Sequence, residues 1–254
     1  MSDKAINYSI DNGIARVTFC NPRGNNVIGL QFTREFADVA MACEIERDLR
    51  AVSITAEGDR FSVGGNLNEF LGQKENIRNH VREMATFFHL GISIFDKLEA
   101  PIITSVNGMA AGGGMSIVCM SDLAIATKTA KFNLAYTRTG LTPDGGSTWF
   151  LPRLVGMQRA YDIMVTNPTL DAEEAKSLGL VARVVEDENL ESETEDIIES
   201  LMSLPANAAG RTKRLLRHSL RNRLETQLEL ESREIAESVS SSETMNSLES
   251  FFNR

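Results

Sequence analysis

Between Ala100 and Ser121 the sequence carries no charged residue, and this run restricts the possible folds more than any other segment. Its length alone is enough to cross a bilayer. Yet Pro101, Asn107, Gly108, the triplet Gly112-Gly113-Gly114 and the hydroxyls of Thr104, Ser105 and Ser116 interrupt it too often for a lipid-facing helix. It reads instead as a buried strand, a glycine turn and a helix in the interior of a soluble protein. With 254 residues the chain can build one large domain around such an interior, or two small ones.

The flanking pattern favours one domain. Residues 5–19 hold two short apolar runs separated by Asp11-Asn12-Gly13, and Asn-Gly is a strong hairpin signal. Phe32, Phe36, Val39, Ala40 and Cys43 recur on one helical face, and Ile77, Val81, Met84, Ala85, Phe88, Ile92 and Phe95 mark a longer helix that must end near Pro101. Strands are expected at 51–55, 102–106, 123–126 and 181–185. Asp171 reads as an N-cap and Gly179 as a stop around a short helix at 172–178. From Asn189 onward only helices are expected. The alternation implies α/β layering, with a catalytic core over 1–188 and a helical extension over 189–254.

Charge and cysteine content exclude several classes. Lys plus Arg number 26 against 35 Asp plus Glu, a net charge of −9, so the chain has no long-range attraction for nucleic acid or anionic membrane, and any anionic ligand must find a local basic patch. Cys20, Cys43 and Cys119 lie far apart, without the spacing of a disulfide framework or a zinc site. No metal is expected, and a reducing cytoplasm fits best. The opening residues lack the basic patch and apolar core of a secretory signal.

Two glycine clusters, Phe61–Leu67 and Asn107–Met115, each follow a strand and precede a helical pattern. Helix starts leave backbone N–H groups without partners, and missing side chains let a ligand approach them. Tight packing is the competing explanation for either cluster taken alone. Neither matches a phosphate loop, because GK[ST] and GxGxxG are both absent.

The segments FSVGGNLNEF, VNGMAAGGGMSIVCMSDLAIAT and FNLAYTRTGLTPDGGSTWFLPRLVG, in this order and spacing, resemble the signatures of the crotonase (enoyl-CoA hydratase/isomerase) superfamily. The Asn-Pro loop at Asn21–Asn26 and the segment Leu170–Val185 extend the resemblance over almost the whole chain. It implies a spiral of ββα units, C-terminal helices that build a homotrimer or a dimer of trimers (a hexamer), and an acyl-CoA thioester as substrate, as in fatty acid metabolism. Coenzyme A would be part of the substrate, with no separate cofactor. The resemblance puts an oxyanion hole at the backbone N–H groups of Gly65 and Gly113, where two fixed donors would each supply roughly 3 to 4 kcal/mol toward a thioester enolate.

Here the sequence departs from the hydratases. Their two glutamate positions hold Ser116 and Tyr136, neither of which is a carboxylate near neutral pH. One acid remains nearby: Asp144 matches the position where several isomerases of the superfamily carry an acid, and where chlorobenzoyl-CoA dehalogenases carry a nucleophilic aspartate. A single carboxylate suffices for a 1,3-proton shift, provided partial desolvation raises its basicity. The expectation is therefore an enoyl-CoA isomerase with Asp144 as proton shuttle. The alternatives are a hydratase, a CoA-thioester dehalogenase or hydrolase, and a non-catalytic acyl-CoA or RNA binder. Helix capping is the competing role for Asp144.

For substrate binding the expected set is Arg23 on a CoA phosphate, the turn Val63, Gly64 and Asn66 offering backbone groups to the adenine, and Ser116 and Tyr136 near the acyl group. His80 and His89 flank an apolar stripe and read as boundary residues, Arg138 as a structural residue, and Trp149 as packing behind the site. A basic run from Arg211 to Arg223 reads as a solvated or intersubunit face, with CoA phosphate or RNA as lesser possibilities. The basic tail common in the family is missing, which raises the question whether Arg254 or this run replaces it.

Overall fold

A computed structural model describes residues 4–252. The hairpin is present: β1 (Ile6–Asp11) pairs antiparallel with β2 (Ile14–Phe19), and Asn12 and Gly13 both take positive φ, as the tight turn demands. Helix α1 (Leu30–Ile45) buries Phe32, Phe36, Val39, Ala40 and Cys43, the stripe read from sequence. Strand β3 (Ala51–Ala56) then pairs parallel with β2. Two helices follow, a short α2 (Leu67–Gly72) and the long α3 (Ile77–Lys97). Helix α3 packs closely on α1 because position 91 is glycine, where a Cβ would stand 2.5 Å from the Phe36 ring.

The charge-free run becomes β4 (Ile102–Val106), β5 (Met109–Ala111) and α4 (Gly113–Met120). Every residue of β4 and α4 is buried, and β4 lies between β3 and β6 (Leu123–Thr127) in the sheet. A charge anywhere along these elements would have no water to meet, so its absence from the sequence follows directly. The chain continues through β7 (Lys131–Asn133), α5 (Ser147–Val155), α6 (Met157–Thr166), β8 (Leu170–Asp171), α7 (Ala172–Ser177) and β9 (Arg183–Val185). Asp171 caps α7 in a reciprocal capping box with Glu174, and Gly179 takes φ +79° just beyond its end.

The larger sheet runs β1-β2-β3-β4-β6-β9, parallel except for the first hairpin. A smaller one, β5-β7-β8, is extended by the parallel bridges Ser62↔Ala110 and Ile28↔Gly65. After β2, β3, β4 and β6 the chain thus visits the small sheet before entering a helix, and this alternation is the spiral. Sequence periodicity did not reveal β5, β7 and β8, since strands of two or three residues contain no alternation to read.

Beyond residue 189 all described elements are helical. Helix α8 (Leu190–Ser203) places Leu190, Ile197 and Ile198 against Ala51, Ile103 and Ile125 of the sheet. Helix α9 (Ala208–Ser219) carries most of the basic run, followed by α10 (Leu224–Val239) and α11 (Ser242–Phe252). Leu224, Leu228, Ile235, Val239, Met245, Leu248, Phe251 and Phe252 are all exposed on these last two. Among the described residues no helix is long and apolar enough to cross a membrane, and no His, Cys, Asp or Glu cluster could hold a metal.

Candidate active site

The two glycine clusters meet. Gly64 takes φ +85° and Gly112 φ +51°, both costly for a side chain, and a Cβ on Gly64 would lie 2.7 Å from the Ala111 carbonyl oxygen and 3.1 Å from Gly112 Cα. Ser62 braces the first turn by accepting the Gly64 N–H at 3.2 Å and donating to the Asn26 carbonyl at 2.7 Å. The amides just beyond, those of Gly65 and Gly113, have no hydrogen-bond partner among the described residues. Gly113 opens α4, so its N–H belongs to the unpaired first turn of a helix. Both glycines line one cavity of about 340 Å³.

The walls are chiefly apolar, with Ile28, Met84, Ala85, Phe88, Leu134 and Leu141 among them. Val81, Met84, Ala85 and Phe88 belong to the apolar stripe of α3, and they face the cavity. Periodicity alone does not distinguish such a wall from core.

One carboxylate reaches this space. Asp144 lines the cavity with its side chain 38% exposed, which places it in a partly desolvated setting. It does not cap α5: that helix begins after Gly146 with no side-chain cap, and the amide and hydroxyl of Ser147 both donate to the Asp144 main-chain carbonyl. The carboxylate is therefore left for other work. Tyr136 donates its hydroxyl to Asp144 Oδ1 at 2.6 Å. Burial, reinforced by the charge of Asp144, pushes the Tyr136 phenol well above its ordinary range, so Tyr136 is a neutral donor. Asp144 Oδ2 accepts no hydrogen bond among the described residues.

His89 stands beside this group. Its Nε2 accepts the Gly145 N–H at 3.1 Å and lies 3.7 Å from Asp144 Oδ2. The sequence reads it as a residue at the edge of the apolar stripe, because nothing in the α3 pattern discloses that the loop after Tyr136 crosses that helix. Ser116 occupies a different place from the one expected. Fully buried, it does not line the cavity; its hydroxyl bonds the Asp144 carbonyl at 3.0 Å and approaches the Tyr136 hydroxyl at 3.3 Å, so it supports the wall from behind.

On the side where the resemblance expects CoA, the buried Asn26 pins the Asn-Pro loop by donating to the carbonyls of Glu57 and Arg60, and Val63 N–H donates to Asn25 O at 3.2 Å. Arg23 projects from this loop, exposed and without an ion-pair partner among the described residues. Asn66 is committed elsewhere. Its side chain caps α2 through Glu69 N–H, its amide donates to Ile28 O, and its carbonyl accepts Phe70 N–H, so only the second lone pair of that carbonyl is left to offer an adenine. His80 is likewise scaffolding, 2.8 Å from Glu69, whose carboxylate also accepts the Leu30 amide that opens α1.

The basic run is neither a solvated face nor a free phosphate site over most of its length. Lys213 is buried 2.8 Å from Asp122 and donates to the Ala100 carbonyl; Arg217 pairs with Asp122, Arg214 with Glu99 and Glu234, and Arg211 with Glu234. Desolvation lowers the Lys213 ammonium from its usual range, opposed by Asp122. Arg221 lies over one side of the Trp149 ring system at 4.9 Å and Arg153 contacts the same ring at 3.4 Å, so Trp149 sits at the surface, 39% exposed, rather than behind the site. Arg138 donates to the Asn167 carbonyl, a structural contact. Arg254 lies outside the described residues.

Comparison with known proteins places this geometry in context. A family model described as enoyl-CoA hydratase/isomerase matches residues 9–254. A 4-chlorobenzoyl coenzyme A dehalogenase of an Arthrobacter species is 31% identical over 239 residues, covering 94% of this chain and 87% of that protein. The 1,2-epoxyphenylacetyl-CoA isomerase of Escherichia coli K12 is 30% identical over 226 residues, covering 87% and 85%. Among solved structures, an enoyl-CoA hydratase from Bacillus anthracis superposes with a TM-score of 0.91 at 26% identity, covering 98% of this chain and 96% of that one.

Proposed function

The chain belongs to the crotonase (enoyl-CoA hydratase/isomerase) superfamily, and from that premise we propose that this acyl-CoA-processing enzyme shifts a double bond in an unsaturated acyl-CoA. The observation that carries the reading is a lone carboxylate in an apolar cavity, one oxygen tied by Tyr136 and the other open. Asp144 Oδ2 takes a proton from the carbon next to the unsaturation. The electrons move onto the thioester oxygen, which accepts the N–H groups of Gly65 and Gly113, and the same carboxyl returns the proton two carbons away. Ser116 and Tyr136 stand where hydration would need glutamates, and neither activates water as a carboxylate does.

Arg23 binds a CoA phosphate in this reading, and the Val63 carbonyl is left for the adenine. The apolar residues exposed on α10 and α11 pack against further copies in a trimer or a dimer of trimers. A cytoplasmic setting accords with Cys43 and Cys119, buried thiols whose pKa burial pushes up to about 12. The test is a steady-state comparison of a 3-enoyl-CoA with a 2-enoyl-CoA. Conversion of the first, with deuterium from D2O entering at the carbon γ to the thioester, where the proton is returned, is the expected result; hydration of the second as the faster reaction overturns it.

A second reading is favoured by His89 and by the aromatic residues Phe70, Phe88 and Tyr136 that line the cavity. Asp144 Oδ2 would then attack a halogenated ring carbon. Halide leaves, an aryl ester forms, and water attacks the ester carbonyl with His89 taking its proton, which regenerates the carboxylate. A single turnover with 4-chlorobenzoyl-CoA in ¹⁸O-water separates the two readings: chloride release, with unlabelled oxygen in the first product, supports this one.

A further inference from the structure

The contact between Gly145 and His89 fixes a protonation state. A backbone amide can only donate, so His89 Nε2, which accepts it at 3.1 Å, must be the unprotonated nitrogen, and the ring's single proton sits on Nδ1. The same Nε2 is 3.7 Å from Asp144 Oδ2, close but not hydrogen-bonded. The imidazole is 50% exposed, so solvent reaches it. The turn it holds has little slack: Gly145 takes φ +59°, and a Cβ there would stand 2.5 Å from the Phe88 ring and 2.8 Å from Ser116 Cβ.

We infer that neutral His89 is a positioning residue for Asp144, holding the Gly145 turn so that Oδ2 stays open, and that protonated His89 closes the site by binding Oδ2 itself. Protonation converts Nε2 from acceptor to donor. The Gly145 N–H then loses its partner and faces a like-signed hydrogen, while the carboxylate 3.7 Å away becomes the natural acceptor. Asp144 would be tied at both oxygens, by Tyr136 and by His89, with none left for substrate. Among the described residues Asp144 is the charged group recorded against His89. Tyr136, from the same loop, remains a neutral donor, Ser116 of α4 is uncharged, and the α3 residues one turn away, Ala85, Thr86, Ile92 and Ser93, are uncharged too.

The inference rests on Asp144 as the working carboxylate of the double-bond shift proposed above, and its test has an arm that needs no turnover. The chain holds three histidines, so a ¹⁵N-histidine spectrum of the wild-type protein, with His89→Gln to assign the signal, reports the tautomer directly. At high pH, His89 shows a bare Nε2 and a protonated Nδ1. On the kinetic arm, kcat of the wild type falls more than about tenfold from pH 8 to pH 5 with the midpoint of the His89 signal, at little change in KM, whereas His89→Gln, an acceptor that does not titrate, varies less than about twofold over that window. A protonated Nε2 at high pH overturns the inference, as does an acid limb unchanged in His89→Gln. Should no acyl-CoA turn over, the tautomer still decides, so failure of the catalytic reading is distinguishable from failure of this one.

Discussion

Two carboxylates in this molecule sit in comparable polar clusters and meet opposite fates. Asp122, between α4 and β6, is saturated: Oδ1 receives Arg217 at 3.0 Å, while Oδ2 receives the Ile102 amide at 2.9 Å and lies 2.8 Å from Lys213. Asp96 joins as an ion pair to Arg217 at 3.0 Å without hydrogen-bond alignment. Asp144 keeps one oxygen unbound and faces a cavity. Saturation docks α9 on the core, whereas the unbound oxygen of Asp144 is kept where chemistry can use it.

The largest effect that should separate the clusters is Asp144→Asn, which lowers turnover by about 10³-fold while leaving acyl-CoA affinity within about twofold and the melting temperature unchanged. Calorimetric titration beside steady-state kinetics checks this; retained turnover would remove Asp144 from the mechanism. Lys213→Met should do the reverse. Asp122 loses one of two cationic partners, so urea denaturation should report a loss of about 3 kcal/mol, with activity per folded molecule preserved. A smaller effect is expected from Tyr136→Phe, which frees Oδ1 and lets the carboxylate rotate, with kcat down about tenfold.

The same variant tests linkage. An unfolded tyrosine ionises near pH 10, whereas folded Tyr136 holds its proton to higher pH, so the folded chain binds more protons there and wild-type stability must fall as pH rises past about 10. Tyr136→Phe should flatten that decline in a series of denaturation curves, and an equal decline in both proteins would contradict it. Smallest of all, Arg214→Ala removes two partly exposed pairs, to Glu99 and Glu234, and should cost no more than about 1 kcal/mol.

Where a signal is local, the sequence was readable. The Asn12-Gly13 turn, the Asp171–Glu174 box and the α1 stripe all depend on neighbours within a few residues. Even the buried run was legible, because exclusion of charge is itself a pattern. Contacts that depend on the path of the chain were not readable. His89 and Gly145 lie 56 positions apart, Arg217 and Asp122 lie 95 apart, and no periodicity links them. Asp144 was ambiguous for a related reason: a residue before Gly-Gly-Ser can cap with its side chain or accept through its main chain, and here the main-chain carbonyl does it. The glycine pair was recognisable as chemistry only because two clusters occurred together.

The bridge between Ser62 and Ala110 has one more consequence. Gly65 and Gly113 each follow their bridged residue by three positions, Gly65 in the turn ahead of α2 and Gly113 at the start of α4, so the bridged pair carries both proposed donors out of the small sheet together. Bridged segments lie about 4.8 Å apart, a spacing fixed by backbone hydrogen bonding. The offset between them is thus set, from the bridge outward, by main-chain hydrogen bonds. A thioester oxygen held by the two proposed donors would be gauged by the polymer's own repeat, and new specificity in this scaffold would then be written at the far end of the substrate.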